Sequence, residues 1–187
     1  MDIKGLLEVI QVQRHDFLNH LQVISGLIQL NKGERVRDYI KQVCGEYERL
    51  SKITRLKSPE VKAVLLITNN EAAKCQVDFS MDIGTNMASL DVPGQIVGTA
   101  LEHCIQQALK FLAPPEAVDR RMNLIISEGD KKITIKLGFP GVPAEVVQDV
   151  QKQLALAELL APYKGSTKLA VTEKEVELYL IFPKKPA

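Results

Sequence analysis

Arg14-His15-Asp16-Phe17-Leu18-Asn19-His20-Leu21-Gln22 reads as a helix with a histidine on its wet side and apolar residues on its others. At 3.6 residues per turn, Ile3, Ile10, Phe17 and Ile24 recur every seven residues, with Leu7, Leu21 and Ile28 beside them. That stripe predicts a buried seam. His15 falls roughly 160° around the helix from Phe17, on a second stripe of Glu8, Gln11, His15, Asn19, Gln22, Gly26 and Gln29. From Gln11 to Gln29 that stripe carries no Lys, Arg, Asp or Glu, which suits docking of another protein's surface and plain solvation about equally.

Outward from this stretch, the helix is expected from near Asp2 to Leu30, ending at Asn31-Lys32-Gly33, where Asn and Gly supply the left-handed residue that helix ends favour. A second helix carries Val36, Ile40, Val43, Tyr47 and Leu50 in steps of four and three. The short turn makes the two antiparallel. A lone hairpin cannot bury both apolar stripes of the first helix, because Leu6, Val9, Val23, Leu27 and Leu30 add to the main seam. Self-association into a two-fold, dimeric four-helix bundle is the economical solution.

Lys57-Ser58-Pro59-Glu60 ends the hairpin, since proline disfavours helix before it and is welcome at the first position of the next. The reading therefore gives a helical hairpin over 1–57 and a second domain over 58–187. The latter is expected to hold a helix from Pro59 to about Ala73, a strand near Gln76 to Met81, and a helix from after Pro93 to about Leu112. A hairpin of Asn123 to Ser127 with Lys132 to Leu137, a helix from Pro143 to Leu160, and a closing hairpin of Lys168 to Thr172 with Glu175 to Phe182 follow. Helices alternating with antiparallel strands make an α/β sandwich, and the chain is α+β overall.

The chain of 187 residues is 45% hydrophobic and 25% charged with a net charge of +1, the balance of a soluble globular protein without the basic excess of a nucleic-acid binder. No apolar run approaches a membrane span, and Asp2 and Glu8 stand where a signal peptide would be basic then apolar. The expectation is a cytoplasmic protein with no nucleic-acid or membrane partner. Cys44, Cys75 and Cys104 are odd in number and far apart, which suggests reduced, partly buried thiols rather than a disulfide framework or zinc site.

Among three histidines, His15 has the chemical surroundings. Asn19 and Gln22 lie one and two turns on, and Arg14 and Asp16 flank it. Asp16 points about 100° away around the helix, where its charge is still felt. Neutral imidazole is a competent nucleophile and phosphohistidine a high-energy carrier, so the constellation suits phosphoryl relay. His20, at the edge of the apolar seam, is expected to be a hydrogen-bonded interface residue, and His103 to be structural. There is no nucleophile elbow, no HExxH and no glycine-rich phosphate loop after a strand.

Arg14-His15-Asp16-x-x-Asn19, followed by Leu21-Gln22-x-Ile24-x-Gly26-Leu27-x-Gln29-Leu30, resembles the phosphoacceptor helix of the sporulation initiation phosphotransferase B family, a signature shared with citrate-type and peptide-quorum-sensing sensor kinases. The resemblance covers the hairpin through about Lys57. It implies that His15 accepts the phosphoryl group, that Asp16 assists, and that Asn19 shapes the site. Gln11, Arg14, Leu18 and Gln22 are the candidate partner-contacting positions.

The order of elements in the second domain resembles the ATP-binding domain of histidine kinases, whose motifs are Asn-x-x-x-Asn-Ala and Asp-x-Gly-x-Gly. Here the first reads His103-Cys104-Ile105-Gln106-Gln107-Ala108, with Gln107 at the metal-binding asparagine. Glutamine is longer by a methylene and would misplace a magnesium ligand. The second reads Leu137-Gly138-Phe139-Pro140-Gly141, with leucine where the adenine-reading aspartate belongs; near Tyr163-Lys164-Gly165-Ser166-Thr167 the last glycine-rich loop keeps one glycine. What the resemblance implies is a dimeric relay phosphotransferase carrying phosphate on His15 between the aspartates of two response regulators. It would have no cofactor of its own, and magnesium would be held by the partner receiver domain. An autophosphorylating kinase with a divergent nucleotide site, and a non-catalytic dimer that binds response regulators, are the alternatives.

Overall fold

A computed structural model describes residues 3–114, 116–141, 156–172 and 175–185. The chain divides into two compact units, Met1–Arg55 and Leu56–Ala187.

The first unit is a helical hairpin, α1 (Ile3–Gln29) and α2 (Gly33–Thr54). Asn31 closes α1 with φ 54°. The Lys32 N–H donates to Leu27 O at 3.0 Å and the Asn31 N–H to Ile28 O at 2.9 Å, so the left-handed residue satisfies carbonyls that the helix end would leave open. The hairpin closes through Leu6, Val9 and Leu27 of the second apolar stripe together with Ile24 of the main one, while Val23 and Leu30 stay exposed. Val9 is buried, and Leu6, His20, Ile24 and Leu27 are half-buried on the α1 side where His20 meets α2. Apart from Ile24, the expected buried seam is exposed in the single chain: Ile3, Leu7, Ile10, Phe17, Leu21 and Ile28 all face solvent, Phe17 by 53%. Sequence period marks both stripes as apolar but does not say which one α2 covers. On α2, Val36, Val43 and Leu50 are half-buried, while Ile40 and Tyr47 are exposed.

The second unit opens at Ser58, whose Oγ accepts from the Val61 N–H and caps α3 (Pro59–Lys74) with proline at its first turn. Gln76, φ 55°, ends α3 as Asn31 ends α1: the Val77 N–H donates to Ala72 O at 2.8 Å. Strand β1 (Asp78–Ile83), helix α4 (Gly94–Leu112), strands β2 (Arg121–Glu128) and β3 (Lys132–Pro140), helix α5 (Leu156–Leu160), and strands β4 (Ser166–Val171) and β5 (Glu175–Pro183) follow. The expected helix from Pro143 lies outside the described residues except for α5. Helices α3 and α4 cross closely, because Gly98 presents no side chain where a Cβ would come within 3.2 Å of Glu60 Cβ.

The five strands form one sheet in the order β1-β2-β3-β5-β4. All pairs are antiparallel except β1 with β2, which is parallel. This corrects the all-antiparallel expectation. Helix α4 carries the chain back along the sheet between β1 and β2, and such a crossover returns a strand in the same direction. Cross-strand register places Met81, Leu124, Leu137, Leu178 and Leu169 in one row across all five strands. That row, with Val97, Leu101, Ile105 and Ala108 of α4, belongs to the apolar layer between sheet and helices.

Candidate functional site

His15 stands on α1 with its side chain 72% exposed. Two neighbours from the same helix converge on Nδ1. Asp16 Oδ1 lies 3.3 Å away and Asn19 Nδ2 3.1 Å away, the latter also 3.5 Å from Nε2. Asp16 thus reaches the ring directly, although its Cα lies a third of a turn round the helix. The two contacts select opposite tautomers. An Nδ1–H donates to the Asp16 carboxylate and leaves the Nε2 lone pair facing solvent, whereas an unprotonated Nδ1 accepts from the Asn19 amide. A ring held through Nδ1 with Nε2 open is poised for electrophiles that arrive from outside the helix. Gln11, Arg14, Leu18 and Gln22 are all exposed around it, Leu18 beside the apolar seam.

His20 is different in kind. Its Nδ1 lies 2.9 Å from the Tyr39 hydroxyl of α2, and its ring is 5.8 Å and 6.5 Å from those of Tyr39 and Tyr47. The edge position of His20 was readable from sequence; Tyr39 was not. Its signal is that residues at comparable distances on either side of the Asn31 turn face one another in an antiparallel hairpin.

In the second unit, the positions corresponding to a kinase nucleotide site are filled differently. Gln107 is only 5% exposed on α4, and its Oε1 has no hydrogen-bond partner. Leu137, 2% exposed, sits in the five-strand apolar row, and Phe139, 1% exposed, is in the same core. A leucine offers no acceptor to an adenine amine, and the phenyl ring occupies space that a glycine would leave open. At these positions the side chains supply neither the metal-ligating asparagine nor the adenine-reading carboxylate of the kinase motifs. His103 is half-buried on α4. The Cys104 thiol is pushed up to about 12 by burial, which makes it inert. Among the described residues, no group of three His, Cys, Asp or Glu side chains is placed to hold a metal ion, and no helix is long and apolar enough to cross a membrane.

The helical hairpin and the five-stranded mixed sheet are each similar in fold to parts of histidine kinases. Residues 1–56 match the family described as sensor kinase SpoOB-type, alpha-helical domain. The chain is 22% identical over 156 residues to the sensor protein CitS of Halalkalibacterium halodurans, a match covering 80% of this chain and 29% of that protein. It therefore spans less than a third of that relative's length. In fold, it is similar to the catalytic domain of histidine kinase ThkA (TM-score 0.55, 13% identity, 68% of this chain and 93% of that one). It is also similar to histidine kinase ThkA in complex with response regulator protein TrrA (TM-score 0.54, 16% identity, 96% of this chain and 62% of that one).

Proposed function

We propose that this chain is a relay phosphotransferase of the sporulation-initiation type, in which His15 carries a phosphoryl group between the aspartates of two response-regulator receiver domains. The observation that carries the reading is the exposed imidazole whose Nδ1–H can donate to Asp16, leaving Nε2 free, with the Asn19 amide beside the ring. The Nε2 lone pair attacks the phosphorus of an aspartyl phosphate. As the N–P bond forms, the P–O bond breaks and its electron pair leaves with the receiver's carboxylate. The ring keeps its Nδ1 proton and becomes a phosphorylated imidazolium, whose charge the Asp16 carboxylate offsets. Asn19, 3.5 Å from Nε2, is in reach of a phosphoryl oxygen there. Transfer to a second receiver is the reverse of the same step. Catalysis is alignment and charge neutralisation, as a loose phosphoryl-transfer transition state requires. Magnesium arrives in the receiver's acidic pocket. A second copy of the chain covers the apolar seam of α1, completing a four-helix bundle in the cytoplasm.

A second reading, autophosphorylation from ATP, is favoured by the likeness in fold to histidine kinases and by the similarity to a sensor protein. Incubation with a receiver charged with labelled phosphate, and separately with labelled ATP, separates the two. Label gained from the receiver, stable to base, labile to acid and absent from His15→Gln with its oligomeric state unchanged, is the expected result. Label gained from ATP makes the protein a kinase. Stable receiver binding without label makes it a binding module.

A further inference from the structure

Gly138 is the one glycine inside a described strand, and it stands in β3 between β2 and β5. Glycine weakens a paired strand and commonly marks a place where another group comes close. The backbone does not call for it, because no glycine has a positive φ. The kinase motif does not call for it either, since Gly138 falls on a free position of Asp-x-Gly-x-Gly. The reason lies above it. A Cβ there would come within 2.5 Å of Asn123 Oδ1 and 2.8 Å of Glu175 Oε1, two acceptors that lean over the bare Cα from the neighbouring strands.

Strand alternation puts these groups on the face of the sheet away from the apolar layer. Leu137 and Phe139 are buried in that layer, so Gly138 and Pro140 point the other way, as do Asp78, Ser80, Arg121, Asn123 and Glu175 on their strands. Together they line a hollow of about 300 Å³ across β1, β2, β3 and β5. It is a different place from a kinase nucleotide site, whose motif positions Gln107 and Leu137 are buried on the inner side.

The lining has the chemistry of a cation site. Asp78 and Glu175 bring carboxylates to it. Arg121, the one cationic residue of the lining, is turned aside by Asp119, its Nε 2.8 Å from Oδ1 and its Nη2 2.6 Å from Oδ2. Asn123 Nδ2 reaches Glu175 Oε1 only at 3.4 Å, and Asn123 Oδ1 is buried with no donor. Flipping the amide would set its oxygen against the Glu175 carboxylate. A buried acceptor without a donor is unfavourable, and a group that brings N–H donors into the hollow relieves it once the amide swings outward. Among the described residues, no three His, Cys, Asp or Glu side chains are placed for a metal ion, so the lining suits an organic donor.

We infer that this hollow binds a small organic cation, an alkyl chain with ammonium or guanidinium ends. One end sits between Asp78 and Ser80, the other at Asn123 and Glu175, and the Pro140 ring is the apolar wall. β1 and β3 are two strand spacings apart, about 10 Å, a span that agmatine or spermidine covers. The volume is at the lower end of small-molecule sites. The inference is independent of the reading of His15.

The test is calorimetric titration of agmatine and of spermidine into the full chain at about 150 mM salt, where diffuse surface attraction is screened. Tetramethylammonium, which has the charge and no N–H, is the control. Saturable one-to-one binding of agmatine or spermidine is expected, and none of tetramethylammonium. Glu175→Gln is expected to weaken binding about fivefold or more. Gly138→Ala, whose methyl parts Asn123 from Glu175, is expected to weaken it about tenfold or more. Glu177→Gln, which breaks the neighbouring pair with Lys136 outside the hollow, leaves affinity within about twofold. Circular dichroism and urea midpoints establish that each variant is folded; if Gly138→Ala is not, Asp78→Asn, on the exposed rim, takes its place with the fivefold expectation. Failure of both cations to bind wild type overturns the inference, as does undiminished binding in Glu175→Gln or an equal loss in Glu177→Gln. Equal uptake of tetramethylammonium overturns it in favour of a diffuse negative surface.

Discussion

The Tyr39 hydroxyl lies 2.9 Å from His20 Nδ1 and ties α2 to α1 five residues along from the His15 imidazole. His20 is thereby engaged inside the hairpin, while His15 projects from it. Removing the hydroxyl by Tyr39→Phe costs about 1 kcal/mol, the worth of one half-buried hydrogen bond, and is read as a lower urea midpoint. Phosphoryl transfer to His15 stays within about twofold of wild type, because the Asp16 and Asn19 contacts are made within α1 alone and use nothing from α2. A much larger loss of transfer makes the His20–Tyr39 link part of the reactive site.

Helix ends were the most readable features of the sequence because they depend on single residues. Asn31, Ser58-Pro59 and Pro93 each act within one turn, and the helices stop or start beside them. Which α1 stripe meets α2 was not readable, because the seven-residue period makes both stripes apolar and only packing decides between them. The parallel pairing of β1 and β2 was hidden for a similar reason: alternation reports which face a side chain takes, not the direction of the neighbouring strand. In the site, the helical period placed His15 and Asn19 on one face. The Asp16 contact depends on a side-chain rotamer, and azimuth alone could not supply it.

Glu128, the last residue of β2, gathers the Lys184 ammonium at 2.7 Å, the Ser89 hydroxyl at 2.8 Å and the Thr85 hydroxyl. Lys184, then Thr85 and Ser89, hold its carboxyl down to about 2 from the ordinary 4.5. A folded-state value below the unfolded one means that the unfolded chain takes up the proton first. The contribution is therefore complete above about pH 4.5 and disappears as pH falls toward about 2. Glu128→Gln is expected to lower the thermal midpoint at neutral pH, with the gap to wild type closing across that acid window. A gap that is constant with pH assigns the effect to lost hydrogen bonds rather than to the charge.

Gln107 carries a buried acceptor without a donor. Gln107→Met keeps the length of the side chain and removes the unmet oxygen, so stability is expected to rise by about 1 kcal/mol. Gln107→Asn, which restores the residue type of a kinase nucleotide motif, leaves both a cavity and an unmet group and lowers stability by about 1–2 kcal/mol. It confers no ATP binding, since Leu137 and Phe139 remain in the core. Urea denaturation and equilibrium binding of a fluorescent ATP analogue check the two halves. Saturable binding in Gln107→Asn shows that position 107 alone had closed the nucleotide site.

The exposed stripe of α1 sets the strongest demand on assembly. Ile3, Leu7, Ile10, Phe17, Leu21 and Ile28 form an apolar seam, joined by exposed Ile40 and Tyr47 of α2, and a patch of that extent marks an interaction surface. Wild type is expected to sediment as a dimer at micromolar concentration. Ile10→Lys with Ile28→Lys places a charge in the seam on either side of His15, two per chain and four per dimer. Burial of each isoleucine contributes about 1.5–3 kcal/mol, so the four changes weaken dimerisation by well over a thousandfold. The double variant is expected to sediment as a monomer, with the circular-dichroism signature of the α/β unit retained. Transfer from a charged receiver to His15 then reports whether the receiver needs one hairpin or two. The His15 face lies opposite the seam, so the monomer keeps the contacts of its own α1 and loses only those that a second chain supplies.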